Sequence, residues 1–150
     1  MKKFIVFFLL CSFLFTASLF KKEFDFSSYK NLQVQVFTSS ASGVNFDDAV
    51  YTKNGDGQII SCNYEVYKKI TKTLNNISGV TFIFSGNREV FNEVVKKLKV
   101  KTIEGSATDF VGYSNFFDSS VSYDGKKVNV QGYYNNGKIY IGTPLLLGSY

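Results

Sequence analysis

Asn136 and Gly137 are the two residues that most restrict what this chain can fold into. They interrupt a stretch from Lys127 to Ile141 in which apolar and polar side chains alternate. An asparagine–glycine pair in that setting is a strong short-range signal of a β-hairpin with a two-residue turn. Such a turn fixes the register, so Tyr134 faces Ile139, Tyr133 faces Tyr140 and Val130 faces Thr143. One face of the hairpin then carries Val128, Val130, Tyr134, Ile139 and Ile141, an apolar stripe that must be covered.

Two amphipathic stretches supply the cover. From Asn63 to about Ile77, Tyr67, Ile70, Leu74 and Ile77 recur at helical spacing with Val66 beside them; Asn63 is a natural N-cap, and Gly79 stands just past the end. A second helix starts at Asn87 and buries Val90, Phe91, Val94, Val95 and Leu98. Glu89 in its first turn and Lys96, Lys97 and Lys99 in its last suit the helix dipole. Those lysines, continued by Lys101, read as a solvated helix end. Strands are expected from Asn31 to Thr38, near Val50 and Tyr51, from Val80 to Phe84 and from Thr108 to Ser114. The expected fold is α+β, one domain over residues 29–150 with an antiparallel sheet and two helices packed on one face.

The first residues carry an address. Met1, Lys2 and Lys3 precede an uncharged apolar run from Phe4 to Phe20, followed by Lys21 and Lys22. As a helix this run spans roughly 25 Å, short of a hydrocarbon core of about 30 Å. Residues 1–18 are therefore expected to be a signal peptide with a small-residue cleavage site at Thr16, Ala17 and Ser18, and residues 19–28 a linker. An uncleaved N-terminal anchor is the alternative, and the one case in which a membrane would be a partner. Leu10 before Cys11 is too bulky for a lipidation signal. With Cys11 gone, Cys62 is the sole thiol and is expected to be buried. Loss of Lys2 and Lys3 takes the net charge from +5 to +3, too weak a bias to argue nucleic-acid binding.

Chemistry is limited from the outset by the absence of histidine, the usual general base and metal ligand. Residues 52–63 partly follow a calcium-loop pattern, with Asn54 and Asp56 at ligand positions and Gly57 at the turn. Thr52 and Asn63 replace the two most important carboxylates, so a tight turn is expected and no metal. Gly112, Tyr113 and Ser114 form a fragment of a nucleophile elbow, with Phe116 in place of the second glycine and no base to activate the serine. Asp47, Asp48, Asp56 and Glu65 are the candidates for paired carboxylates. No cofactor is implied.

The C-terminal stretch from Lys127 to Gln131, the Asn136–Gly137 turn, then Ile139, Ile141, Gly142, Thr143, Pro144 and a terminal Tyr150 resembles the closing signature of the YwmB family. These are exported proteins of endospore-forming Bacillota, named TATA-box-binding-like for their fold. The helices and strands between Tyr64 and Ser114 follow the family's order, so the likeness covers about ninety residues, roughly 61–150. The family's chains are considerably longer, and Ser149 stands where they have glutamate. No catalytic residues are established for the family, so none is carried over. The resemblance implies an α+β fold and an exported, non-catalytic role; the signal-like N-terminus and the missing catalytic residue types make a binding or structural module of the cell envelope the leading expectation. Asn129, Gln131 and Thr143 are the polar residues at the sheet's end expected to hold a ligand. Gly142 is read as a point where another backbone approaches closely, and Pro144 as the end of the pairing. A homodimer completing a shortened chain through its sheet edges, and a carboxylate hydrolase acting on wall polymers, are the competing readings.

Overall fold

A computed structural model describes residues 23–40 and 43–146. The expected signal segment and the start of the linker lie outside the described residues, as do Ser149 and Tyr150. The elements follow in the order β1 (Gln33–Thr38), β2 (Val50–Asn54), β3 (Gly57–Cys62), α1 (Tyr64–Thr73), β4 (Ile77–Ser85), α2 (Arg88–Lys97), β5 (Lys101–Gly105), β6 (Asp109–Tyr113), β7 (Val121–Tyr123), β8 (Lys126–Val128), β9 (Val130–Asn135) and β10 (Lys138–Thr143). Eight strands form one antiparallel sheet in the order β2-β3-β1-β4-β10-β9-β6-β5, and β7 pairs with β8 apart from it. No described helix is long and apolar enough to cross a membrane.

The hairpin forms around its turn as expected. Asn136 and Gly137 both take positive φ, 47° and 77°, as a type I′ turn requires. Tyr134 faces Ile139 and Tyr133 faces Tyr140, but the ladder stops at Gln131–Gly142, one pair short of Val130–Thr143. The alternation then sorts side chains across the sheet. Val34, Phe82, Ile141 and Phe110 point to one side with Val36, Ile60, Phe84, Ile139 and Val130, and all are buried. Both helices cover that side: α1 through Val66 and Ile70 against β1, α2 through Phe91 and Val94 towards β9, all in one core. The N-cap asparagines act as expected, Asn63 and Asn87 each accepting the N–H three residues on, from Val66 and Val90. The opposite side of the sheet carries Gln33, Gln35, Ile83, Tyr133 and Tyr140.

Four boundaries differ from expectation, each for a physical reason. The first helix ends at Thr73, where the Leu74 N–H closes on Ile70 O. Ile77 opens β4 instead, facing Thr38, and Gly79 lies within that strand opposite Phe37. Residues 57–62, where the expectation stops at the tight turn, form β3, because Ile60 and Cys62 face inward on alternate positions. The run from Lys127 does not continue into the hairpin. Asn129 breaks it, its N–H bonding to Gly112 O and its side chain turned away to another loop, which leaves Lys126–Val128 to pair with Val121–Tyr123. The domain also begins before residue 29. Phe26, in the expected linker, is 1% exposed and stacks on Phe82 with ring centroids 4.0 Å apart.

Candidate functional site

The three polar residues singled out at the sheet's end do not converge. Asn129 is fully buried, and its carboxamide is consumed by the loop after β6: Oδ1 accepts from the Ser114 N–H at 2.7 Å, and Nδ2 donates to Ser114 O at 2.7 Å and to Phe117 O at 2.8 Å. It ties loop 114–117 to the start of β9. Gln131 points to the other side of the sheet, where its Oε1 accepts from the Leu146 N–H at 3.2 Å. The tail that carries Leu146 passes directly over Gly142; a Cβ at that glycine would stand 2.6 Å from Leu146 N and Cα. This is the close backbone approach expected there. Thr143, by contrast, lines a groove of about 240 Å³ on the helical side with Tyr64, Tyr67, Phe116 and Phe117.

The catalytic candidates are likewise dispersed. Ser114 is buried and its Oγ donates to Leu98 O at 2.6 Å, satisfying a carbonyl at the end of α2. Asp47 and Asp48 are neighbours just before β2 and Asp56 lies in the turn after it, so the length of that strand, about 17 Å, separates Asp56 from the other two. That exceeds the carboxylate spacing of either glycosidase geometry, about 5–10 Å. Glu65 is exposed on α1 and paired with Lys68 at 2.7 Å. Residues 52–63 make a hairpin closing from Asn54 to Gly57, and among the described residues no group of carboxylates and thiols could hold a metal ion. Cys62 is buried under the sheet, and that burial pushes its thiol up to about 11.

A different constellation is assembled at the far edge of the sheet. Lys101 on β5 faces Tyr113 on β6. The β7–β8 hairpin folds beside these strands and brings Lys126 and Lys127 to the same place, with Lys127 Nζ 5.6 Å from the centre of the Tyr113 ring. Together Lys101, Thr102, Ile103, Tyr113, Lys126 and Lys127 line a shallow cleft of about 570 Å³. No carboxylate lines it. The acid of β5, Glu104, accepts the Tyr123 hydroxyl at 2.8 Å, a bond that fastens the hairpin to the sheet edge and raises the pKa of that phenol. The described ion pairs, Glu65–Lys68 and Glu93–Lys97, involve none of the three cleft lysines. In the sequence Lys101 continues the basic end of α2, and nothing adjacent to it connects it to residues 25 positions later. The signal that could have done so was the Asp124–Gly125 pair, a turn dipeptide between Tyr123 and Lys126.

No family model, curated protein or solved structure matches this chain.

Proposed function

We propose that this chain is an exported, non-catalytic binding module of the cell envelope, and that its ligand occupies the cleft between β5, β6 and β8. The observation that carries the reading is the lining of that cleft: three lysines around Tyr113 with no carboxylate among them. A cluster of like charges raises the cost of folding through mutual repulsion, and an anionic ligand relieves it. Export is supported by the basic and apolar N-terminal pattern from Met1 to Lys22, and by the likeness of residues 61–150 to the YwmB family and its TATA-box-binding-like fold. A non-catalytic role is supported by the absence of histidine and by the engagement of Ser114 and Glu65 elsewhere.

Fractionation of cells expressing the tagged full chain tests this. The chain is expected in the envelope or the medium, and full-length chain in the cytoplasm would overturn export. Incubation with purified wall polymer is expected to release no soluble fragments. Release that disappears in Asp48→Asn or Asp56→Asn would establish the hydrolase reading instead.

A further inference from the structure

We infer that the cleft recognises a phosphate group, with the body that carries the phosphate lying against Tyr113 and Ile103. This deepens the binding-module reading and rests on it. Lysine ammoniums are compact point charges with three rotatable donors each, and several together can meet the tetrahedrally arranged, multiply charged oxygens of a phosphate. The cleft sets three of them around one space with no carboxylate among its lining residues. The exposed Thr102 adds the one hydroxyl donor among its threonine and serine side chains. Between the charges lies half-buried Ile103 and the Tyr113 ring, surfaces of no use to a bare hydrated ion but suited to an apolar or ring-bearing substituent. Lys127 is already held against the ring face, which limits the side-chain entropy lost when an anion arrives.

The cleft is also anchored, although it sits at an edge. Val128 at the end of β8 is fully buried, and the Tyr123–Glu104 bond fixes the other arm of the hairpin. Two of the three lysines therefore ride on a segment tied at both ends.

Backbone amide shifts of the full chain, titrated separately with pyrophosphate, phenyl phosphate, methyl phosphate and citrate, test the inference. Saturable shifts confined to residues 101–103, 113 and 126–127 are expected with pyrophosphate, and binding at least about tenfold weaker with citrate. Phenyl phosphate is expected to bind more tightly than methyl phosphate, and Tyr113→Leu to remove that preference. The double variant Lys101→Gln, Lys126→Gln, which keeps the Lys127–Tyr113 contact, is expected to weaken pyrophosphate about tenfold while the amide spectrum outside the cleft stays that of the parent. Vesicles of phosphatidylglycerol, compared with phosphatidylcholine, separate the two sources of phosphate. Selective vesicle binding that pyrophosphate displaces marks a lipid headgroup, and its absence beside tight phenyl phosphate binding marks a soluble phosphate ester. No saturable shift with either pyrophosphate or phenyl phosphate, or equal binding of citrate, would overturn the inference. That failure would leave an exported module with another ligand, whereas a cytoplasmic chain that binds phosphate would overturn the export reading alone.

Discussion

Asn129 illustrates how a polar residue in a promising position is spent on structure. Its carboxamide makes three hydrogen bonds to the backbone of the loop at 114–117, and no edge of it reaches solvent. Replacement by alanine would leave the buried Ser114 N–H without its acceptor and the half-buried Phe117 O without this donor, while Ser114 O would keep only the long bond from the Phe117 N–H at 3.4 Å. Each such group costs about 1–3 kcal/mol, partly recovered as the loop relaxes, so Asn129→Ala is expected to lose about 3 kcal/mol. Urea unfolding is expected to show a lower midpoint at an unchanged slope. Unaltered stability together with lost ligand binding would return Asn129 to the role that sequence suggests. Gln131 and Gly142 are committed in the same way, to the tail that crosses the sheet at Leu146.

Among the elements, the small β7–β8 hairpin has the least support of its own. A two-stranded ribbon of three residues a side is marginal in water. It persists because Val128 is buried, Lys127 rests on Tyr113 and the Tyr123 hydroxyl reaches Glu104. Tyr123→Phe removes only that last bond, an exposed one whose net worth is small because water replaces it. Hydrogen exchange is expected to quicken for residues 121–128 while the amides of β4 and β10 keep their protection and the melting temperature hardly moves. Uniform loss of protection would show instead that the hairpin and core open together. What the sequence reveals at this scale follows from range. The caps at Asn63 and Asn87 and the Asn136–Gly137 turn are legible because each is decided by residues within four positions. β5 is not, because Lys-Thr-Ile-Glu-Gly has one apolar residue and is held by its pairing to β6. The lysine cleft is illegible for the same reason, since its two halves meet only through an unforeseen hairpin.

For the whole molecule, one core beneath one sheet means that buried ionisable groups are linked to global unfolding. Cys62 is 7% exposed and its thiol is pushed from 9.0 to about 11; Tyr67, packed edge-on against Phe82, is pushed from 10.0 to about 12, both chiefly by burial. Burial penalises thiolate and phenolate, so above pH 9 the folded chain holds protons that the unfolded chain has released. Stability is therefore complete below about pH 9 and falls as pH rises towards 11 through Cys62 and towards 12 through Tyr67. Each contributes on the order of 2–3 kcal/mol over its window. Lysine deprotonation overlaps that range, so the decline alone does not identify the thiol. Cys62→Ala isolates it. At pH 7 the variant is expected to be less stable because it leaves a small cavity, yet to lose less stability than the parent between pH 9 and 11. Thermal melts at pH 7, 9 and 11 give both comparisons, and parallel declines in the two proteins would remove the buried thiol from the account. The same burial implies that Cys62 in the folded chain resists maleimide at pH 8.5 and reacts once urea opens the core.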